Sequence, residues 1–349
     1  MQTTDKSSEI LFLGDWYLTS PADASSIVGC RPFIFNLEAP ISRRGSPTPG
    51  KISLRMEKNE IVACFGAKPA AVCLGNNHIM DYGPEAFEDT LAELNRLNVP
   101  FFGCGYEEDN FNNPLTLSMG EHRLALMGYV CSSTHPIFPK AGHPGVCQLE
   151  INRIRADVQR AKDAGATHVV VSIHWGAEDI PLPKPTDVTL AHQLIDMGVD
   201  VIVGHHAHVP QPIERYNDKP IAYGLGNVAM DDIVVPNAWD EFGHPKRMFR
   251  KIQLPSNRTS LGLQWNVATE HWEVKEFLYC DRKVVQKTFR GDSITKKNVG
   301  SRFYGTHYNL YSRIRRIAQL YRTFRAERRF PHLHHVRSLI RILLRGIQS

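Results

Sequence analysis

The chain has 349 residues, a net charge of +5 and 42 % hydrophobic residues, the profile of a globular protein long enough to bury a large core. No run is apolar enough to span a bilayer, residues 1–9 are polar without a leader-like segment, and seven Cys without C-x-x-C spacing point to reduced thiols, so the expected compartment is the cytoplasm. The charge is uneven: residues 301–349 hold eleven Arg, no Lys and one acid, a net +10, which leaves −5 on residues 1–300.

Along the chain, short apolar runs alternate with amphipathic stretches, the rhythm of a layered α/β domain. Strands are expected at Ile10–Gly14, Pro32–Asn36, Ala70–Leu74, Pro100–Gly103, Leu124–Val130, His168–Ile173, Val199–Val203 and Ile221–Leu225. A helix is expected after Gly83-Pro84, with Phe87, Leu91, Leu94 and Leu97 on its inner face. A second carries Ile151, Ile154, Val158 and Ala161 and ends at Gly165; a third is capped by Thr186 and stopped by Gly198. Residues 250–290 alternate like antiparallel edge strands, and Tyr308 to Gln348 reads as basic helices broken near Pro331. The expected division is a polar stretch at 1–9, one domain at 10–290 and an Arg-rich tail at 301–349.

The polar residues fall at strand ends. The first strand runs into Asp15, the second into Asn36-Leu37-Glu38, the third into Asn76-Asn77-His78. Later strands run into His174-Trp175-Gly176 and into Gly204-His205-His206-Ala207-His208. In open α/β sheets ligands bind at the carboxyl ends of strands. Carboxylate, amide oxygen and imidazole without thiolate suit Mn, Fe or Zn. Enough donors are present for two ions with one carboxylate as a bridge, an arrangement used to hydrolyse phosphate esters.

In this order the motifs Gly14-Asp15, Asn36-Leu37-Glu38, Asn76-Asn77-His78 with Asp81-Tyr82-Gly83, His174-Trp175-Gly176 with Glu178, Gly204 to His208, and Tyr223-Gly224-Leu225-Gly226-Asn227 resemble the CapA family of capsule and poly-γ-glutamate synthesis proteins, within the calcineurin-like metallophosphoesterase superfamily. The resemblance covers about residues 9–231. It implies a four-layer α-β-β-α sandwich with a two-metal site at one sheet edge. It implies that Asp15 and His208 hold the first ion, Asn77, His174 and His206 the second, and that Glu38 bridges them. His78 would protonate the leaving oxygen, Asp81 would orient His78, and the ions would acidify the attacking water. Tyr17 stands where the superfamily usually has a first-ion His, which puts that ion in question. Ala207 and Gly224 to Val228 also depart from the usual pattern.

Some residues carry two readings. Asp81 reads equally as the N-cap of the following helix. His205 is an alternative ligand or a phosphate contact. Glu178 is a ligand, a substrate contact or a surface acid, and Asn227 is a pocket residue. In the tail, Tyr308, Tyr311, Ile314 and Ile317 recur with Arg313, Arg315 and Arg316 between them. That pattern suits an anionic inner membrane face, a synthase complex, or packing on the domain itself. Nucleic acid has only charge in its favour. The expected function is metal-dependent phosphoester hydrolysis in capsule, exopolysaccharide or poly-γ-glutamate synthesis, on a phosphorylated or anionic polymer or carrier. The alternative is a non-catalytic polymer-binding or assembly factor. A third reading, a nucleotidase, lacks a base-stacking motif.

Overall fold

Alternation in the first strand sets the layering. Ile10 and Phe12 point one way and Leu11 and Leu13 the other, and all four are buried, so both faces of strand Glu9–Tyr17 are covered. The computed structural model describes residues 8–57, 60–109, 111–112, 114–139, 142–239, 245–289, 299 and 304–327. The chain divides into two units, Met1–Lys297 and Asn298–Ser349.

The first unit holds two facing sheets. One runs in the order Lys283–Lys287, Trp272–Cys280, Thr259–Asn266, Glu9–Tyr17, Phe33–Leu37, Ala71–Cys73, Phe101–Phe102. Its last four strands are parallel, and its first three are antiparallel at the edge, as the alternation over 250–290 predicts. Asn227–Met230 pairs parallel with the end of Glu9–Tyr17. The other sheet runs Ile213–Tyr216, Lys219–Ala222, Val201–His205, His168–His174, His122–Val130, Leu115–Met119.

Ile10, Phe12 and Ile34 of the first sheet meet Leu124, Val170 and Val203 of the second in one apolar layer. On the outer face of the first sheet, Leu11, Phe33 and Phe35 pack with Ile27, Phe65, Phe87 and Leu94 from the helices Ser25–Val28, Ile61–Phe65 and Gly83–Arg96. Helix Ile151–Asp163 packs on strand His168–His174 and on helix Pro185–Asp196. These are the four layers that the family resemblance implies.

The structure moves several boundaries. The strand expected to stop at Gly14 continues through Asp15 to Tyr17, with a register shift between Asp15 and Trp16. The strand placed at Val199–Val203 is Val201–His205, and the one placed at Ile221–Leu225 is Lys219–Ala222. Thr186 is not a cap: the helix is Pro185–Asp196, Lys184 is its N-cap residue, and Pro185 occupies the first turn, where a missing N–H costs nothing. The hairpin of Ile233–Trp239 with Pro245–Lys251 was not foreseen.

In the second unit, helix Tyr304–Glu327 is the expected basic helix. The break near Pro331 and the segment after it lie outside the described residues. Among the described residues no helix is long and apolar enough to cross a membrane.

Candidate metal centre

Two glycines bring the first carboxylate into place. Asp15 N–H donates to the Gly226 carbonyl at 2.9 Å, and Asp15 sits in register with Asn36 on one side and Asn227 on the other. A Cβ on Gly14 would lie 1.9 Å from the Gly226 oxygen. Only glycine lets these backbones approach so closely.

Asn36 then joins the carboxylates. Its Nδ2 donates to Asp15 Oδ1 at 2.8 Å and to Glu38 Oε2 at 2.5 Å. Asn76 fixes Asn36 by donating to its Oδ1 at 3.1 Å. The Asn76 Oδ1 accepts the His78 and Ile79 N–H groups at 3.0 and 2.9 Å, an Asx turn that shapes the loop carrying Asn77 and His78.

The imidazoles meet these acids from the second sheet. His174 Nε2, at the end of its strand, lies 2.9 Å from Asn77 Oδ1, 3.2 Å from His206 Nδ1 and 3.7 Å from Glu38 Oε1. His208 Nδ1 lies 2.9 Å from Asn227 Oδ1 and 3.3 Å from Asp15 Oδ2, and its Nε2 is 3.7 Å from Glu38 Oε1. His205 Nδ1 is 3.1 Å from Asp15 Oδ1, out of line for a hydrogen bond. His206 and His208 have φ of +84° and +55°. For residues with a Cβ such backbone costs about 1–3 kcal/mol each and concentrates at functional sites.

Asp15, Glu38, His174 and Asn227 are fully buried. Burial pushes the Asp15 carboxyl up, but His205 and His208 outweigh it and hold the group well below the carboxylate range. Burial and the charge of Asp15 push Glu38 well above its ordinary value. Burial, then His206, push His174 far down, and burial lowers His206 to about 3. Burial also opposes the charge on His208, yet its bond to Asp15 and the pull of Glu38 raise it to about 9.

These residues fit a divalent cation. Glu38 Oε1 and His174 Nδ1 are buried without a hydrogen-bond partner, and an unpaired buried carboxylate oxygen is costly. A cation among Glu38 Oε1, Asn77 Oδ1, His174 Nε2 and His206 Nδ1 would satisfy that oxygen and offset its repulsion with Asp15. Donor atoms fall into two groups, each within 4.8 Å: Asp15, Glu38 and His174, and Glu178, His206 and His208.

Beside this centre, His78 Nδ1 lies 2.5 Å from Asp81 Oδ2. The capping reading of Asp81 fails, because the helix begins after Tyr82 without a side-chain cap. The carboxylate instead takes the Leu54 N–H at 2.7 Å and a bond from Lys51 Nζ, which also donates to the Asn77 carbonyl. Glu178 stands at the rim, 47 % exposed, bonded at 2.6 Å to Lys251 Nζ. Tyr17 turns away: it packs in the outer apolar layer and lines a cavity of about 730 Å³ with Trp16, Arg55 and Tyr82.

Lys51, Lys251 and Asn257 carry no signal in the sequence. Asn257 links the site loops by donating to Asp179 Oδ1 at 2.6 Å and to the His208 carbonyl at 3.1 Å. Asn36 did carry one, as a lone polar side chain in the apolar strand Phe33–Leu37.

The family model for the bacterial capsule synthesis protein PGA_cap matches residues 29–232. A probable polyglutamine synthesis accessory protein of Mycobacterium tuberculosis is 31 % identical over 210 residues, 57 % of this chain and 55 % of that one. The PGA biosynthesis protein CapA of Bacillus subtilis is 31 % identical over 199 residues, covering 56 % and 52 %. The capsule biosynthesis protein CapA of Bacillus anthracis is 30 % identical over 183 residues, covering 52 % and 44 %. The chain thus spans about half the length of the curated relatives it matches. A 5'-nucleotidase precursor from Thermus thermophilus superposes with a TM-score of 0.43 at 15 % identity, over 77 % of this chain and 54 % of that one, a level that carries no argument about activity. With the matched region holding the strand ends that build the centre from Asn36 to Asn227, the chain belongs to the bacterial capsule synthesis protein PGA_cap family.

Proposed function

We propose that this chain is a metal-dependent phosphoester hydrolase acting in the synthesis of a capsule or poly-γ-glutamate-like anionic polymer. The observation that supports it most is the convergence of Glu38, Asn77 and His206 on His174 Nε2, with Glu38 Oε1 buried and unpaired. A divalent ion bound there, Mn, Fe or Zn, supplies Lewis acidity and an acidified water. The protein's own groups do the rest. Asp81 holds the Nδ1–H of His78, which leaves Nε2 to carry the mobile proton toward a leaving oxygen. Lys51 fixes Asp81 and the Asn77 carbonyl together, so the proton donor and a metal-facing amide share one anchor.

Hydrolysis of bis(p-nitrophenyl) phosphate by the full chain tests this reading. Turnover is expected with Mn and is expected to vanish with chelator. His78→Ala is expected to lower kcat by about 10²–10⁴-fold, the usual contribution of a general acid. A folded, metal-loaded protein without turnover on this or a polymer-linked phosphoester contradicts hydrolysis. If it also binds anionic polymer or vesicles through residues 301–349, it is the assembly factor.

A further inference from the structure

The corner of the site nearest the rim already holds a positive charge. Lys251 enters from the end of the hairpin strand Pro245–Lys251. Its side chain is 17 % exposed, and its Nζ lies 2.6 Å from Glu178 Oε2 and 3.6 Å from Asp179 Oδ2. Glu178 is the acid that could join His206 and His208 around an ion.

Several donors near a first ion already have partners, while His208 Nε2 faces Glu38 Oε1 at 3.7 Å. Asp15 Oδ1 accepts from Asn36, Asp15 Oδ2 accepts the His206 N–H at 3.3 Å, and His208 Nδ1 faces Asn227 and Asp15. Tyr17, two residues after Asp15, is packed in the apolar layer and offers no donor to the centre. Glu38 Oε1, without a hydrogen-bond partner, lies 3.7 Å from both His174 Nε2 and His208 Nε2, and around His174 Nε2 it is joined by Asn77 Oδ1 at 2.9 Å and His206 Nδ1 at 3.2 Å, a set of four donors.

We infer that the chain binds one divalent ion, at Glu38, Asn77, His174 and His206, and that the Lys251 ammonium takes the place of a second cation at the Glu178–His208 corner. There it is positioned to meet an anionic oxygen of the substrate. Burial works against charge on Lys251, but Glu178 and Asp179 outweigh it and keep the group charged. A divalent ion ligated by Glu178 would stand close to this ammonium and be repelled by it. The inference rests on the metal-hydrolase reading.

The test is the number of ions bound, by titrating Mn into the chelator-stripped full chain and by elemental analysis after desalting. The wild type is expected to bind one ion per chain. Lys251→Gln, and Lys251→Met as a second variant that keeps the stem's packing, are expected to bind two. Lys251→Arg, which keeps the charge, is expected to bind one. Two ions in the wild type, or one in a Lys251→Gln or Lys251→Met protein that melts cooperatively, overturns the inference. No ion in the wild type overturns the metal reading itself, a result distinct from either.

Discussion

Glu38→Gln is expected to reverse its effect on stability when metal is added. Without metal, Glu38 is a buried carboxyl held above its ordinary value by burial and by Asp15. Its ionisation therefore costs stability: the native state holds the proton to a higher pH than the unfolded chain does. The cost is absent below the unfolded value near 4.5 and grows as pH rises above it. Glutamine has the same shape and no charge, so at pH 7 with chelator the variant is expected to be as stable as the wild type or more so. With metal the order inverts. A ligand at a thousand times its Kd adds about 4 kcal/mol to the folded state, and the variant, lacking the carboxylate, is expected to gain little. Urea unfolding with Mn and with chelator, at pH 5 and pH 7, checks both halves. An equal gain from metal in both proteins would remove Glu38 from the centre.

Gly14→Ala is expected to cost about 3 kcal/mol or more, the upper end for overpacking, although it adds only one methyl group. That methyl would lie 1.9 Å from the Gly226 carbonyl oxygen, which accepts the Asp15 N–H. The atoms it would meet, of Gly226 and Leu225, belong to backbone, so no side chain can swing aside. The two strands must part, and the register between Asp15 and Asn227 goes with them. Metal affinity is expected to fall together with stability. A thermal melt beside a Mn titration measures both. A variant that melts like the wild type would show that the strands separate at little cost.

The layering was legible in the sequence because a buried strand writes its pattern plainly. Phe33 to Phe35 and Val169 to Ile173 are apolar with at most one small polar residue, and helix Gly83–Arg96 announces itself by Pro84 and its spaced Phe87 and Leu94. The site was legible for the same reason: Asp, Asn and His stand out where such runs end. Asp15, Glu38, Asn77, His174, His206 and His208 are brought together, and Asn227 joins them through His208. The supports were less legible. Lys51 comes from a loop rich in Pro and Gly, and Lys251 from a hairpin some seventy residues beyond Glu178. A long-range ion pair leaves no local periodicity. Asp81 looked as much like a cap as an orienting group, because an acid two residues before a helical glycine fits both roles, and only its bonds to His78 and Lys51 decide between them.

The central claim is that Glu38, Asn77, His174 and His206 hold a divalent ion. Anomalous diffraction from crystals grown with Mn tests it most directly. A peak is expected within coordination distance, about 2.0–2.2 Å, of Glu38 Oε1, Asn77 Oδ1, His174 Nε2 and His206 Nδ1. An empty centre in crystals that turn over no phosphodiester, or a peak held by other residues, would contradict the account.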